Sequence, residues 1–265
     1  MPQVVVGART DVGRHRSLNE DALLVGERVW VVADGMGGHA AGDVASSLAV
    51  QSLRELDAGD DLAPATITEA VDRANAALVE HGRQHPEARG MGTTVTGLAE
   101  VRVGGEWHWA VFNVGDSRVY RYAGGALRRV TVDHSEVEEL LTRGLIDAAE
   151  ARIHPARHII TRSVGMRPPP TVDLWLLPQT PGERFVLCSD GLNSELSDER
   201  IAAVLAEHPD ADAAASALVD AVLATDARDN VSVLVVDVVG AEAAAGDELT
   251  VRRMVPTQAV QEGER

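Results

Sequence analysis

The sequence predicts an α+β layered sandwich, in which antiparallel strands and amphipathic helices form separate layers. The order of its patterns is the first observation: short strands, two helices, an antiparallel meander, and two more helices before a final strand. Runs of strands followed by runs of helices are typical of α+β folds and not of parallel, doubly wound sheets. The second observation is a Gly-Gly pair inside each of two alternating stretches, at 104–105 and 124–125, which predicts tight antiparallel hairpins.

The N-terminal third contains a buried strand and two helices. Residues 28–34, RVWVVAD, are almost continuously apolar, which predicts a strand that is buried on both faces. Residues 43–56 place their apolar side chains on one helical stripe. A second helix is predicted at about residues 66–84.

The meander occupies residues 93–132, and a helical excursion follows it at residues 135–157. The remaining predicted elements are strands at 171–177 and 183–190, helices at 198–207 and 211–225, and a strand at 230–239. Beyond residue 240 the composition becomes small, polar and charged. We therefore expect one domain over residues 1–240 and a flexible tail over residues 241–265.

Composition limits the possible partners of the chain. Its 265 residues have a formal net charge of −17, and such a surface would repel nucleic acid phosphates and anionic membranes. A single cysteine, Cys188, excludes an internal disulfide framework and suits a reducing compartment. No apolar run approaches the ~18 residues that a membrane span needs, and the first residues lack the pattern of a signal peptide. We expect a cytoplasmic monomer without a membrane span.

The absence of lysine excludes several chemistries at once. All 24 basic residues are arginine. A phosphate-binding loop of the GK[ST] type, the strand lysine of a kinase and a Schiff base to a pyridoxal cofactor each require lysine. None of these sites is therefore expected.

Four aspartates lie at the ends of apolar strands: Asp34, Asp116, Asp190 and Asp229. Each alone is more simply explained as a turn residue, because Asp and Gly are common where strands end. Together they indicate a cation site, since clustered carboxylates repel one another and are costly to bury without a cation. An all-oxygen ligand set suits Mg²⁺ or Mn²⁺. Gly35, which follows Asp34, has no Cβ, so its carbonyl could approach such an ion closely.

Other interpretations of these motifs fit less well. Residues 35–40, GMGGHA, match a G-x-G-x-x-A dinucleotide loop, but no second strand ends in an acidic residue about 20 residues later. Residues 113–119, NVGDSRV, resemble a nucleophile elbow, but Val119 stands where that motif needs glycine.

The cysteine and the paired histidines also have simpler explanations. Cys188 is followed six residues later by Ser194 and not by the arginine of a cysteine phosphatase loop, so we expect a buried core residue. The histidine pairs at 81/85 and 154/158 have the spacing of metal ligands but lack the glutamate of H-E-x-x-H. We expect surface histidines there.

Eight motifs resemble the protein phosphatase 2C family of metal-dependent serine/threonine phosphatases, in its bacterial form. They are DVGRHRSLNEDAL, VVADGMGGHAAGDVAS, MGTTVT, FNVGDSRVYRY, TVDHS, ITRSVG, FVLCSDGL and ARDNVSVLVV, and they extend over about residues 8–238. One such motif would be a weak signal, whereas eight in the family's order are very specific. The resemblance implies a four-layer α/β/β/α sandwich of two antiparallel sheets flanked by helices, with a metal centre at one end.

The resemblance also implies roles for the strand-end residues. Asp34 would bridge two metal ions, and the Gly35 carbonyl would bind one of them. Asp190 and Asp229 would complete the first metal site. Asp116 matches an aspartate that binds a third metal in bacterial members, with Asp190 shared between the sites.

Two residues of the N-terminal motif and one segment complete the implied site. Glu20 would hold the second metal through water, and Arg16 matches the arginine that binds substrate phosphate. Residues 135–157 fall where the family has its flap, beside the site.

The implied activity is hydrolysis of phosphoserine and phosphothreonine in proteins by a metal-activated water, with Mn²⁺ or Mg²⁺ as cofactor. Two ions about 3.5–4 Å apart lower the pKa of a shared water to about 7, so no enzyme nucleophile is needed. Eukaryotic members have a histidine after the Asp-Gly pair as general acid, whereas this chain has Met36, as bacterial members commonly do. A metal-bound water or another group near the flap must then protonate the leaving oxygen.

The expected partners are phosphorylated proteins, the substrates of a serine/threonine kinase. A catalytically silent relative that only binds phosphoproteins is one alternative, but it should have lost a metal aspartate, and none is lost. A sporulation- or stress-type phosphatase is the other alternative. It would share the metal chemistry and act on one dedicated phosphoserine partner.

Overall fold

The computed structural model describes residues 3–37, 41–59, 62–239 and 252–254 of the chain. Over these ranges the chain forms two antiparallel sheets that pack face to face, with helices on the outer face of each. The predicted α+β class and the implied four-layer sandwich are both confirmed.

Each sheet mixes strands from distant parts of the sequence. Of the described strands, one sheet contains five, in the order β1 (Gln3–Asp11), β11 (Val231–Val239), β10 (Arg184–Cys188), β7 (Arg118–Ala123) and β8 (Ala126–Arg129). The other contains seven, in the order β12 (Arg252–Met254), β9 (Asp173–Pro178), β6 (Glu106–Val114), β5 (Val95–Val103), β3 (Val29–Met36) and β2 (Asp21–Val25), with β4 (Gly92–Thr93) paired to β3. The last described strand of the domain, β11, lies between the first strand and the rest of its sheet.

Helices cover the two outer faces. The seven-stranded sheet packs against α1 (Gly42–Leu53) and α2 (Pro64–Gln84), with short 3₁₀ helices at Arg54–Ala58 and Pro86–Ala88. The five-stranded sheet packs against α5 (Asp190–Glu195), α6 (Asp198–Glu207) and α7 (Ala211–Leu223). The segment at residues 135–157 contains α3 (Glu136–Thr142) and α4 (Ala148–Ile153), neither of which has a buried residue.

The core between the sheets is built on aromatic side chains. The ring of Trp109 on β6 lies 6.1 Å from that of Trp30 and 5.8 Å, edge-on, from that of Phe185 on the opposite sheet. Its indole N–H donates to the Glu183 carboxylate at 2.9 Å, and Arg121 neutralises that carboxylate. These contacts join the two sheets and satisfy the Trp109 indole and the Glu183 carboxylate between them.

The predicted hairpins are confirmed, but the single meander is wrong. The strand pairs β5–β6 and β7–β8 are antiparallel and turn at the two Gly-Gly pairs. However, β6 belongs to the seven-stranded sheet and β7 to the five-stranded sheet. The chain changes sheet at Gly115, whose φ of +114° is a conformation that favours glycine. Periodicity alone does not show which sheet a hairpin joins.

The C-terminal region differs from the expected tail in one respect. Residues 252–254 pair antiparallel with residues 174–176 of β9 and extend the edge of that sheet. The other residues of the predicted tail lie outside the described residues, so the tail and the domain boundary at residue 240 stay predictions. Within the described part of the chain, no helix combines the length and apolar character needed to cross a bilayer.

Candidate metal centre

The antiparallel register brings the predicted ligands to one end of the sandwich. In the five-stranded sheet, Cys188 at the end of β10 pairs with Arg118 at the start of β7 and with Val233 near the start of β11. The turns at these strand ends therefore lie side by side. They carry three of the predicted ligands: Asp116, Asp190 and Asp229.

The seven-stranded sheet contributes Asp34 at the same end. Asp34 lies in β3, two residues before the strand ends, and not at its end as predicted. Its backbone N–H donates to Thr94 Oγ1 at 2.9 Å, and Thr93 Oγ1 donates to its carbonyl at 2.9 Å. Directly opposite it in the register is Asp21, the first residue of β2.

The carboxylates of the two sheets lie close enough to repel one another. Burial raises the pKa of Asp34 well above its usual range, and four neighbouring carboxylates raise it further: Asp21, Asp190, Asp116 and Asp229. Burial also raises the pKa of Asp190, with Asp116 and Asp229 as the next causes. Both sheets therefore contribute to one cluster of five aspartates, in which Asp116 is buried and Asp229, at the rim, is 37% exposed. We call it the carboxylate cluster.

Two members of the carboxylate cluster have an oxygen with no partner. Oδ1 of Asp21 and Oδ1 of Asp116 are buried, and neither has a hydrogen bond. Burial raises the pKa of Asp21 to about 6, and burial together with Asp133 raises the pKa of Asp116 to about 7. Unpaired buried carboxylate oxygens are unfavourable unless a cation or water satisfies them.

Arginine side chains neutralise little of the negative charge of the carboxylate cluster. Arg16 donates to Asp229 Oδ2 at 2.8 Å and lies 4.0 Å from Glu20, but its side chain is 48% exposed at the rim. The donor set, which consists of several buried oxygens with few cations, fits divalent ions that prefer oxygen. Among the described side chains, no three His, Cys, Asp or Glu residues are arranged to enclose one ion.

The glycines around Asp34 allow Glu20 and helix α1 to pack closely against β3. A Cβ on Gly35 would lie 2.0 Å from the Gly42 carbonyl oxygen, and one on Gly42 would lie 2.5 Å from Glu20 Oε1. The Gly35 N–H also donates to the Glu20 backbone carbonyl at 3.1 Å. These two positions need glycine because a side chain would push Glu20 away from the centre.

Comparison with known proteins assigns the chain to a family. The family model "Protein phosphatase 2C" matches residues 13–234. The chain belongs to the protein phosphatase 2C family. The predicted resemblance is thus confirmed over most of the domain.

Two relatives and one solved structure illustrate the similarity of this phosphatase 2C family member to known proteins. Serine/threonine protein phosphatase PstP of Mycobacterium tuberculosis is 40% identical over 238 residues, which are 88% of this chain and 44% of the relative. The chain therefore spans less than half of that relative's length. Serine/threonine phosphatase stp of Listeria monocytogenes is 33% identical over 244 residues, 86% of this chain and 94% of the relative. A crystal structure of the PstP catalytic domain in complex with two manganese ions is also similar. It superposes with a TM-score of 0.79 and is 36% identical, and the match covers 89% of this chain and 99% of the PstP chain.

Several residues of this phosphatase 2C domain that surround the centre escaped the sequence analysis. Asp21 lies beside the predicted Glu20 and opens a strand, which is the same signal that identified the other aspartates. Ser189 Oγ donates to Asp21 Oδ2 at 2.8 Å. Asn230 accepts the Glu20 N–H at 2.9 Å and donates to the carbonyls of residues 12 and 18. No sequence signal identifies these two, because their roles depend on the register between distant strands.

Other residues singled out by the sequence lie away from the centre or only border it. Cys188 is fully buried in the core, and burial raises the pKa of its thiol to about 12, as expected for an inert residue. His81 and His85 stack with ring centroids 4.1 Å apart at the exposed end of α2. Just beyond the predicted flap, burial and Arg157 lower the pKa of His158, whereas Asp229 of the carboxylate cluster raises it. The flap itself stays a prediction.

Proposed function

We propose that this protein is a metal-dependent serine/threonine protein phosphatase. The carboxylate cluster carries this proposal, because five aspartates converge from both sheets and two of their oxygens are buried without a partner. In a phosphatase 2C family member, such a cluster is best explained as the metal centre. Every aspartate that the resemblance assigned to a metal is present in it. A catalytically silent relative that only binds phosphoproteins is therefore disfavoured.

Mn²⁺ or Mg²⁺ would be the cofactor, with two ions per chain. Asp34 would contact both, with the Gly35 carbonyl, Asp190 and Asp229 on the first and Glu20 on the second through water. The relative PstP, whose catalytic domain binds two manganese ions, supports this number. When bound, such ions lower the pKa of a coordinated water and offset negative charge on a phosphoryl group. Asp116 would hold a third ion together with Asp190.

Arg16 is the residue best placed to bind substrate phosphate. Its guanidinium lies at the exposed rim of the carboxylate cluster and contacts Asp229, so it can reach a phosphate that enters from solvent. A guanidinium presents paired N–H donors that match phosphate oxygens. Met36 lies partly buried at the end of β3 and has no proton to donate, so it does not serve as the general acid.

Phosphorylated proteins, the products of serine/threonine kinases, would be the substrates. The relatives PstP and stp are both named serine/threonine phosphatases, which supports this class of substrate. They do not favour the alternative of a sporulation-type phosphatase with one dedicated partner. We further propose that the protein is a cytoplasmic monomer with a signalling role, in keeping with its acidic surface and single buried cysteine.

The purified protein should release phosphate from phosphoserine and phosphothreonine peptides in Mn²⁺ or Mg²⁺, and not from phosphotyrosine peptides. Excess EDTA should abolish the release, since an all-oxygen site exchanges its ions. Asp34→Asn is the matched control, because it removes one charge and little volume. Full activity in EDTA would contradict the proposal. Phosphopeptide binding without turnover in Mn²⁺ would support the silent relative instead.

A further inference from the structure

The position of Asp116 depends on the backbone that precedes it. Its side chain is 8% exposed, and its Oδ1 has no hydrogen-bond partner. Gly115 has a φ of +114°, and a Cβ there would lie 2.5 Å from Cγ2 of Thr94. Residues 115–117 form the turn by which the chain leaves one sheet and enters the other, and we call them the Asp116 turn. Contacts to its backbone must hold this turn in place.

Both backbone polar groups of Gly115 bond to one residue, His134. The Gly115 N–H donates to His134 Nδ1 at 3.0 Å, and the His134 N–H donates to the Gly115 carbonyl at 2.9 Å. Asn113 adds a side-chain bond to the same carbonyl at 3.0 Å. Because His134 is only 5% exposed, water does not compete easily for these bonds.

These bonds determine the tautomer of His134. A backbone N–H can only donate, so Nδ1 must accept and carries no proton. The proton of the neutral ring therefore lies on Nε2, which is 3.3 Å from Asp173 Oδ2. Arg162 Nη1 lies 2.9 Å from the same nitrogen, and because a guanidinium can only donate, this approach and the Gly115 bond cannot both be hydrogen bonds to a neutral ring. We assign the proton to Nε2 because the Gly115 N–H belongs to the backbone, whereas Arg162 Nη1 has two other acceptors, Asp173 Oδ1 and the Thr171 carbonyl, each at 3.2 Å.

The same histidine also binds the base of the predicted flap. The Thr161 N–H donates to the His134 carbonyl at 2.8 Å, and Ser135 forms a bridge with Ile160. His134 thus connects the Asp116 turn on one side with both ends of the segment at residues 135–160 on the other.

We propose that His134, oriented by Asp173, is a positioning residue that sets the Asp116 turn relative to the metal centre and the flap. It contacts neither substrate nor any proposed metal ligand, and it acts through the backbone of Gly115. The effect on catalysis rests on the proposed function, because that function places Asp116 at the centre. The hydrogen-bond arrangement itself can be tested without activity.

Two substitutions of His134 test the roles of its two ring nitrogens separately. His134→Asn keeps an acceptor where Nδ1 lies, so it can still bind the Gly115 N–H. His134→Gln moves the polar group toward the Nε2 position and leaves that N–H without its acceptor. His108→Gln is the matched control, because His108 lies near the opposite end of β6. Within the described part of the chain, its Nδ1 contacts the Glu106 carbonyl and no other polar group.

Long-range ¹H–¹⁵N spectra of the metal-free protein should show His134 with its proton on Nε2. Hydrogen exchange of the Gly115 amide should accelerate about tenfold in His134→Gln, which corresponds to one lost hydrogen bond, and should change little in His134→Asn. With Mn²⁺ and p-nitrophenyl phosphate, His134→Gln should lower kcat about tenfold or more, because a displaced turn misplaces Asp116. KM should stay within about twofold, since Arg16 is untouched. His108→Gln should match the wild type in every assay.

The outcomes distinguish this inference from the proposed function. A wild-type His134 with its proton on Nδ1 would overturn the inference even if His134→Gln did not fold. Equal Gly115 exchange and equal kcat in His134→Gln and wild type would overturn it too, and would leave the phosphatase assignment intact. A wild type with no phosphatase activity would instead refute the proposed function, while the tautomer and the Gly115 exchange would still test the positioning role.

Discussion

Asp21 and Asp34 lie directly opposite each other where β2 pairs with β3. Two carboxylates thus occupy one cross-strand pair at the mouth of the sandwich, where like charges destabilise a sheet. Burial raises the pKa of both, and each also contributes to the carboxylate cluster that the opposite sheet completes. The domain therefore accumulates negative charge at a place where a bound cation would stabilise it.

Removing one charge from this pair should stabilise the metal-free protein and abolish turnover. In EDTA, we expect the melting temperature of Asp34→Asn to lie above that of the wild type. Each kcal/mol of relieved repulsion should raise the melting temperature by about 2–4 °C. In Mn²⁺ the order of the two melting temperatures should reverse, because bound Mn²⁺ stabilises the wild type and not a variant that has lost a metal ligand. Turnover should fall by orders of magnitude, as in Asp190→Asn and Asp229→Asn. Differential scanning calorimetry with and without Mn²⁺ measures the first effect, and Asp220→Asn at an exposed position of α7 is the control. A wild type that melts at the same temperature in EDTA and in Mn²⁺ would contradict this expectation.

The stability of the metal-free protein should fall as pH rises from about 4 to about 7. The folded-state pKa is about 6 for Asp21 and about 7 for Asp116, against an ordinary value of 3.8. The folded state therefore binds more protons than the unfolded state in this window, and each group can contribute a slope of up to ~1.4 kcal/mol per pH unit. Urea unfolding in EDTA at several pH values should show a shallower fall for Asp21→Asn and Asp116→Asn than for the wild type. Parallel curves for all three proteins would show that these aspartates are not protonated in the native state.

Arg16→Ala should raise KM for small phosphoesters more than it lowers kcat. Its guanidinium is proposed to bind phosphate in the ground state, so its loss weakens substrate and transition state together. Steady-state kinetics with p-nitrophenyl phosphate in saturating Mn²⁺ measure both constants. Arg14→Ala is a suitable control, since Arg14 donates to the Leu223 carbonyl. Near-normal kinetics for Arg16→Ala would mean that the phosphate site lies elsewhere.

Asp116→Ala should keep two metal ions and lose most activity on phosphopeptides. A third ion held by Asp116 and Asp190 would bind weakly, and it could orient the water that protonates the leaving group in place of Met36. The alternative is a turn residue that accepts only backbone bonds. Metal content at low Mn²⁺, measured beside turnover, separates these roles. If the variant retained two ions and its full rate, Asp116 would be structural only.

Deleting the residues from Ala241 onward should leave melting temperature and peptide turnover nearly unchanged. The strand at residues 252–254 is only three residues long and, among the described strands, pairs with β9 alone. A second truncation after residue 256 keeps this strand and serves as the comparison. If only the shorter protein melted lower, β12 would contribute to the sheet. A drop in turnover would show that the tail docks near the centre.

Sequence patterns predicted the long helices of the fold well. Helix α6 begins and ends at the predicted residues, and α2 begins only two residues early, because apolar periodicity defines such segments. The short elements α5 and β12, of six and three residues, are too brief to show a period. Assigning β6 and β7 to different sheets required three-dimensional pairing, which no local pattern contains.

In the candidate site too, some residues could be predicted from local sequence and others only from the folded structure. Strand-end carboxylates were predictable because a charged residue at the end of an apolar run is conspicuous. Asp21 carried the same signal and was overlooked between Glu20 and a short strand. Ser189 and His134 could not be predicted, since a serine or a histidine beside an aspartate has many ordinary explanations. Their partners are distant in sequence, and only the folded sheets bring them together.

The insertion of β11 between β1 and β10 has a consequence for the synthesis of the chain on the ribosome. A nascent chain that has not yet reached residue 229 carries Asp21, Asp34, Asp116 and Asp190 but lacks both Asp229 and the strand that closes the five-stranded sheet. Strand β1 therefore lacks its partner β11 until nearly the whole domain has been translated. If Asp229 holds a metal ion as proposed, an interrupted translation product would lack both this ligand and β11 and would be inactive.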